Sequence, residues 1–347
     1  MNRLSLILAS ALVLPSFGQT VYTIPQGYTK VSIAAASSPT EPTLTAISAT
    51  LMNDVEHAGA VTINADFDPD PDADPATPDS IQTITATGAT WAANAFTTDP
   101  HLAYLVNSDG SEESFLIVSH TADTLTVSTS FNLLADTRFP ASTTLKIRKA
   151  NTVGSILGTT STPFTVNDRI YIWTGSSWQT LIAVGGNWVY LGGPNNNQSA
   201  TGAVIFPEEG IFVQRAETTA AELTLFGEVP SVAQASTVPG GSSVFVSTRF
   251  PVGSSPVANP TGIRLADLNI DEIPGWDSTD RAYFWTGSSW QTLISIGANW
   301  IYLGGPLNNT PANDLLVPPN SALFLTRATA GSESTSPFTV DPPYTVE

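Results

Sequence analysis

The sequence predicts an all-β protein of two related β-sandwich or barrel-like halves, with a small β module inserted in the first half. Three observations support this class: short runs of β-branched and aromatic residues between turn residues, no sustained apolar period of 3.6 residues, and an internal repeat. The length of 347 residues exceeds that of an ordinary single core, which agrees with more than one β unit.

The internal repeat aligns without a gap at an offset of 112 residues. Residues 168–197 read DRIYIWTGSSWQTLIAVGGNWVYLGGPNNN, residues 280–309 read DRAYFWTGSSWQTLISIGANWIYLGGPLNN, and 23 of these 30 positions are identical. The similarity extends over about residues 150–218 and 262–330, which we call the first and second units. Solenoid and propeller repeats have periods of roughly 20 to 50 residues, so this spacing predicts a duplicated domain-scale unit instead.

Each unit is predicted to contain a β-hairpin. The first unit has four strand-like runs, at Ile170–Trp173, Trp178–Val184, Asn187–Leu191 and Gly210–Arg215. Residues Thr174–Ser177 have the composition of a turn, and a turn of four residues predicts that Trp173 faces Trp178. The same pattern predicts that Trp285 faces Trp290 in the second unit.

The inserted module is predicted at about residues 60–149, as a small sheet or barrel. Four strand-like runs indicate it: Leu102–Val106, Phe115–Ser119, Thr124–Ser128 and Thr144–Lys149. Leu44–Met52 is the nearest candidate for a helix in the chain.

The first 18 residues have the pattern of a secretory signal peptide. Arg3 precedes the apolar run Leu4–Leu14, and small residues follow up to Gly18. We therefore expect a first half at residues 19–227, which holds the module and the first unit, and a second half at residues 228–347, which holds the second unit. The run is too short to span a bilayer, so secretion without membrane insertion is expected.

Charge and composition restrict the partners and the chemistry. The chain has 12 Lys and Arg against 30 Asp and Glu, a formal net charge of −18, so nucleic acid is not expected as a partner. The absence of Cys excludes disulfides, thiolate metal sites and Cys nucleophiles.

Several motifs together resemble an uncharacterised family of secreted, β-rich, internally repeated proteins of environmental Gram-negative bacteria. They are Gly27–Val31, the segment SFLIVSHTADTLTVS, the turns TVGSILG and RLADLNI, and the doubled pattern DRxYxWTGSSW that ends in FVQR or FLTR. The resemblance covers most of the chain. It implies a protein of the extracellular space or cell surface of a Gram-negative bacterium, and it implies no activity or catalytic residue.

The tryptophans of the two units are the candidate ligand-binding residues. They are Trp173, Trp178, Trp188, Trp285, Trp290 and Trp300. Exposed Trp rings offer an apolar face on which a sugar ring can stack, whereas buried Trp rings would fill the core. The structural role is favoured, because large aromatic side chains are mostly buried.

The acidic segment DFDPDPDADPATPD at residues 66–79 has two interpretations. Its carboxylates are Asp66, Asp68, Asp70, Asp72 and Asp74, and calcium is the one cofactor they suggest, because this ion prefers several oxygen ligands. A solvated acidic loop is favoured, because Pro69 and Pro71 stiffen the backbone against wrapping around an ion. No other cofactor is expected.

Catalytic signatures are weak, and we expect no enzyme. His57, His101 and His120 are widely separated, and no GxSxG pattern occurs. Three pairs of adjacent carboxylates occur: Glu112-Glu113, Glu208-Glu209 and Asp271-Glu272. Adjacent residues on a strand point to opposite faces, so none of these pairs is by itself a facing acid and base. Carboxylates from distant segments could still meet.

The charged residues repeated in both units predict structural ion pairs at strand ends. They are Asp168, Arg169 and Arg215 in the first unit and Asp280, Arg281 and Arg327 in the second.

These observations favour a secreted, non-catalytic structural protein of a surface layer, matrix or filament. Self-association through β-strand contacts, or contact with other extracellular components, is the expected partnership. The alternative is an extracellular carbohydrate-binding protein that uses the repeated Trp residues on a polysaccharide, and a hydrolase is the least favoured reading.

Overall fold

The computed structural model describes residues 26–38, 40–69, 80–158, 163–251, 262–297, 299–328 and 337–344. The elements before residue 158 are β1 (Gln26–Ile33), β2 (Thr43–Ser48), β3 (Val55–Ile63), β4 (Ile81–Thr85), β5 (His101–Val106), β6 (Glu112–His120), β7 (Thr124–Ser128), β8 (Ser142–Lys149), β9 (Asn151–Thr152) and helix α1 (Val153–Leu157). The next are β10 (Arg169–Trp173), β11 (Trp178–Val184), β12 (Asn187–Leu191), β13 (Val204–Ile205), β14 (Gly210–Arg215) and β15 (Ala221–Glu228).

The remaining strands belong to the second half. They are β16 (Gln234–Thr237), β17 (Ser243–Ser247), β18 (Ile263–Arg264), β19 (Arg281–Trp285), β20 (Trp290–Ile296), β21 (Asn299–Leu303), β22 (Leu316–Val317), β23 (Ala322–Thr326) and β24 (Pro337–Val340), with 3₁₀ helices at Leu265–Leu268 and Ile270–Glu272. The all-β class predicted from the sequence is confirmed. None of the helices in the described ranges has the length and apolar character needed to cross a lipid bilayer.

Strands β3 to β8 form a closed six-stranded barrel in the order β6-β5-β8-β3-β4-β7, with β7 paired back to β6. Alternate residues of each strand point inward and fill the barrel, as Ile84, Leu105 and Leu125 do. The four strands predicted for the module correspond to β5 to β8. Two further strands, β3 and β4, complete the barrel, and β3 begins before the start expected for the module.

The first unit contributes to a five-stranded sheet, the first sheet, in the order β12-β11-β10-β14-β2. One face packs against the two-stranded ribbon β1–β15 and helix α1. The helix considered at Leu44–Met52 is wrong, because its first half is strand β2. Ile47 lies in this core, whereas Leu44 and Ala46 lie on the opposite face of the sheet. Apolar residues on both faces of a buried strand imitate the pattern of a buried helix.

The second unit builds a second sheet with the corresponding order, β21-β20-β19-β23-β17. The predicted hairpin register is confirmed in both sheets, since Trp173 pairs with Trp178 and Trp285 pairs with Trp290. The ring centroids of the two pairs lie 5.1 and 5.3 Å apart. The common origin of the two units stays a prediction from the sequence.

The first and second sheets pack face to face through an aromatic cluster centred on Phe212, Phe245 and Ala322. Their contacts are reciprocal. Nε1 of Trp173 donates a hydrogen bond of 2.7 Å to the carbonyl oxygen of Ser243 on β17, and Nε1 of Trp285 donates one of 2.9 Å to that of Leu44 on β2. Both acceptor strands occupy the same position in their own sheet, so the two sheets hold each other by equivalent bonds.

Two of the predicted ion pairs are present and buried. Nη1 of Arg215 lies 2.9 Å from Oδ2 of Asp168, and Nε of Arg327 lies 3.5 Å from Oδ2 of Asp280. The prediction is wrong for Arg281, which donates instead to backbone carbonyl oxygens near its own strand. No ion pair of Arg169 is found among the described residues, and its side chain is exposed at the start of β10.

Candidate functional site

The six candidate tryptophans occupy three environments. Trp188 and Trp300 are 2% and 1% exposed and lie in the cores of their units, so they offer no open ring face to a ligand. Trp173 and Trp285 are half-buried, and their indole nitrogens bind the facing sheet. Only Trp178 and Trp290 are exposed, at 36% and 41%.

The two exposed rings flank an aromatic pocket at the contact between the first and second sheets. Its volume is about 230 Å³, and its lining residues are Leu44, Tyr171, Trp178, Phe212, Trp285 and Trp290. Trp178 and Trp290 each contact Phe212, with ring centroids 5.4 and 5.5 Å away. These contacts hold the ring orientations, and part of each indole remains exposed to solvent.

The acidic segment is described only at its start. Thr83 donates to the Asp66 carboxylate from its backbone N–H and its hydroxyl, and the Asp68 backbone bridges to that of Ile81, so both residues hold the start of β4. Asp70, Asp72 and Asp74 lie outside the described residues. Within the described part of the chain, no group of three or more His, Asp or Glu residues is arranged to hold a metal ion.

The three histidines, which are far apart in sequence, lie around two aromatic residues beside the barrel. His57 and His120 contact Trp91, and His101 and His120 contact Phe96, with centroid separations of 5.1 to 6.4 Å. Nε2 of His120 accepts from the backbone N–H of Phe96 at 3.4 Å, and Nδ1 lies 2.8 Å from the carbonyl oxygen of Thr121. His120 therefore bridges two loops through its two ring nitrogens.

A larger cavity, the junction cavity, lies where the barrel, the first sheet and the second half meet. Its volume is about 570 Å³, and it is lined by residues of β6, β10, β14, β16 and β17 and of the loops beside them. Glu113, Glu208 and Glu209 all line it. The adjacent residues Glu208 and Glu209, which precede β14, are thus joined in one cavity by Glu113 of β6.

The three carboxylates are bound unequally. Glu113 is paired with Arg138 at 2.8 Å and accepts a hydrogen bond from Thr237. Glu208 accepts from the hydroxyl of Ser114 at 2.7 and 2.9 Å. The carboxylate of Glu209 has no hydrogen-bond or ion-pair partner within the described ranges.

Burial in this junction disfavours the ionised forms of these groups. It raises the pKa of Glu208 to about 7, and burial together with the nearby Glu208 raises the pKa of Glu209 to about 8. Burial also raises the pKa of Glu113, although Arg138 opposes this shift. Arg249 lies nearby, and burial lowers its pKa to about 10, so it stays charged at neutral pH.

Comparison with known proteins gives no matching family model, no similar curated protein and no similar solved structure.

Proposed function

We propose that this protein is a non-catalytic extracellular structural protein that self-associates through β-strand contacts, as part of a surface layer, matrix or filament. The observation that carries the proposal is the two-stranded ribbon β1–β15. Its strands pair with each other over eight residue pairs, from Gln26 opposite Glu228 to Ile33 opposite Ala221, and belong to no larger sheet in the described topology.

The ribbon presents apolar surface as well as strand edges. Tyr28 and Phe226 face each other across its outer side, are 69% and 72% exposed, and have ring centroids 6.2 Å apart. Beside them, Lys30 and Glu222 form an exposed ion pair at 2.6 Å. A second copy that adds a strand to this ribbon would complete backbone hydrogen bonds and cover the aromatic pair.

The proposal is tested by the assembly state of residues 19–347. We expect mass that rises with concentration in sedimentation and light scattering, and fibres or sheets in electron micrographs. The double variant Tyr28→Glu/Phe226→Glu should remain monomeric. Val166→Glu, which alters an apolar residue that is 64% exposed elsewhere, should assemble like the parent protein. A parent protein that stays monomeric at high concentration contradicts the proposal.

The second candidate function is carbohydrate binding at the aromatic pocket between Trp178 and Trp290. Partial exposure of both rings beside an apolar pocket favours it, because sugar rings stack on such surfaces. Trp178→Ala and Trp290→Ala should each abolish retention on a polysaccharide column while the circular dichroism spectrum stays unchanged, and Val166→Ala serves as the control. Loss of folding in the Trp variants would assign the rings a packing role instead.

A further inference from the structure

The junction cavity has the size and lining of a binding site for a polar molecule. Its volume of about 570 Å³ lies within the range of roughly 300 to 1,000 Å³ that is usual for ligand pockets. Nine Ser and Thr residues line it together with five aromatic residues, among them Trp173 and Phe206. Hydroxyls beside aromatic faces suit a ligand that is itself rich in hydroxyls and has an apolar ring face.

The cavity also contains two carboxyl groups that have no direct cationic partner. Arg138 pairs with both Glu113 and Asp136, whereas Glu208 is bound by a neutral hydroxyl and Glu209 has no partner in the described part of the chain. Arg249 is the nearby cation, and it forms no ion pair with either of the last two residues in the described ranges. A ligand that brings positive charge would favour the ionised form of both groups and pair with them.

Arg249 lies behind the cavity wall. Its side chain is 2% exposed, and its Nη2 donates a hydrogen bond of 2.5 Å to the hydroxyl of Ser236, which lines the cavity. The Nε and Nη1 atoms have no hydrogen-bond partner among the described residues. Because the Ser236 oxygen accepts from Arg249, its own proton is directed elsewhere and can be donated to a ligand.

A companion cavity on the other side of the sheet contact provides an internal comparison. It has a volume of about 450 Å³ and contains residues that correspond, at an offset of 112, to those of the junction cavity. Asn320 and Ser321 stand there in place of Glu208 and Glu209. Asn320 accepts a hydrogen bond from Thr50 and donates one to Thr29, so its side chain serves packing.

The comparison shows that this position of the fold accepts neutral residues. Burial in the junction cavity disfavours the ionised forms of Glu208 and Glu209, and the sheet contact forms at the corresponding point of the second unit without carboxyl groups. Carboxyl groups that line a cavity and resist ionisation are a feature of many functional sites.

We propose that the junction cavity binds a protonated amino sugar of an extracellular polysaccharide. The ammonium group lies between the carboxylates of Glu208 and Glu209, the ring hydroxyls bind the Ser and Thr side chains, and an apolar ring face packs on Trp173 or Phe206. An organic cation fits better than a metal ion, because no metal-binding group of carboxylates and histidines occurs in the described part of the molecule. This site is separate from the ribbon and from the Trp178–Trp290 pocket.

Isothermal titration of residues 19–347 near neutral pH tests the proposal with three probes. They are the β-1,4-linked disaccharide of glucosamine, the same disaccharide with both amines acetylated, and the diamine putrescine. We expect the glucosamine disaccharide to bind at least tenfold more tightly than the other two. Equal binding of the acetylated sugar would overturn the role of the charge, equal binding of putrescine would overturn the role of the sugar ring, and no binding of the glucosamine disaccharide would overturn the site.

Variants locate the binding. Glu208→Asn/Glu209→Ser introduces the residues of the companion cavity and should weaken binding of the glucosamine disaccharide at least tenfold. Ser321→Ala, the matched change in the companion cavity, should leave it unchanged. If the double variant does not fold, Glu209→Gln, which keeps the shape of the side chain, takes its place. Equal affinity in parent and variants contradicts the assignment, and calcium heats that vanish in Glu209→Gln would replace the sugar with a metal ion.

Discussion

The first and second sheets place corresponding residues at corresponding points of their mutual contact. Three consecutive positions at the start of one strand nevertheless carry different residue types in the two sheets. In the first sheet Glu208 and Glu209 precede Gly210, the first residue of β14. In the second sheet Asn320 and Ser321 precede Ala322, the first residue of β23. Backbone pairing is nevertheless conserved between the sheets, since the N–H of Ser247 binds the carbonyl of residue 208 and that of Ser48 binds the carbonyl of residue 320.

The shared residues and the differing residues have separate roles. The hairpin Trp pairs and the buried Asp–Arg pairs recur in both sheets and hold strands together. The residues that differ line cavities beside the sheet contact or lie at its centre. The comparison thus separates what the β unit needs to fold from what the first unit carries in addition.

The largest expected effect concerns the shared ion pairs. Asp168→Ala should lower the free energy of unfolding by roughly 3 to 5 kcal/mol, because it leaves Arg215 buried without its carboxylate. Asp280→Ala should be destabilising but less so, since its closest contact with Arg327 is 3.5 Å instead of 2.9 Å. Urea unfolding followed by Trp fluorescence measures both. A loss below about 1 kcal/mol in Asp168→Ala would show that the pair is not needed by the fold.

The next effect concerns the centre of the sheet contact. A Cβ atom on Gly210 would lie 2.2 Å from the Cβ of Ala322 and 3.0 Å from the ring of Phe245, so the sheets would have to separate. Gly210→Ala should therefore cost about 1 to 3 kcal/mol by overpacking. Thermal unfolding of Gly210→Ala, Ala322→Gly and the double variant tests this reason: the double variant should regain much of the stability lost in Gly210→Ala. Simple addition of the two single losses would contradict the steric explanation.

Local pattern and turn length were sufficient to predict much of the fold. Four turn residues fixed the register that pairs Trp173 with Trp178, and alternating β-branched residues identified four of the six barrel strands. Strand β3 was missed because its sequence, VEHAGAVTI, contains Ala and Gly and has a weak apolar pattern. The ribbon was missed because β1 and β15 are nearly 200 residues apart, and no local signal encodes such a pairing.

The candidate sites were predicted less well, for a physical reason. The sequence singled out six Trp residues as a set, but burial depends on the face of each strand and on the partner sheet, which leaves only Trp178 and Trp290 open. The junction cavity arises from three modules that meet, so Glu113 and Glu209 share an environment that neither local sequence reveals. The sequence contains one signal of this cavity: Glu208 and Glu209 of the first unit align with Asn320 and Ser321 of the second.

The smallest expected effect separates the two cavities by pH. The pKa of Glu209 rises from its ordinary 4.5 to about 8 in the folded protein because of burial and the nearby Glu208. Between these values the folded state holds a proton that the unfolded state has released, so the stability of the parent protein falls as pH rises through this window.

Glu209→Gln removes the titrating group. Its melting temperature should match that of the parent near pH 4 and exceed it above pH 8. The corresponding gain in the free energy of unfolding is on the order of 1 to 2 kcal/mol, a value reduced for the partial exposure of the side chain. Ser321→Ala should show no such pH-dependent difference, because the companion cavity has no ionisable group at that position. If the melting temperatures of Glu209→Gln and the parent change in parallel across this pH range, the carboxylate is solvated in the folded protein. The two cavities would then differ in sequence but not in electrostatics.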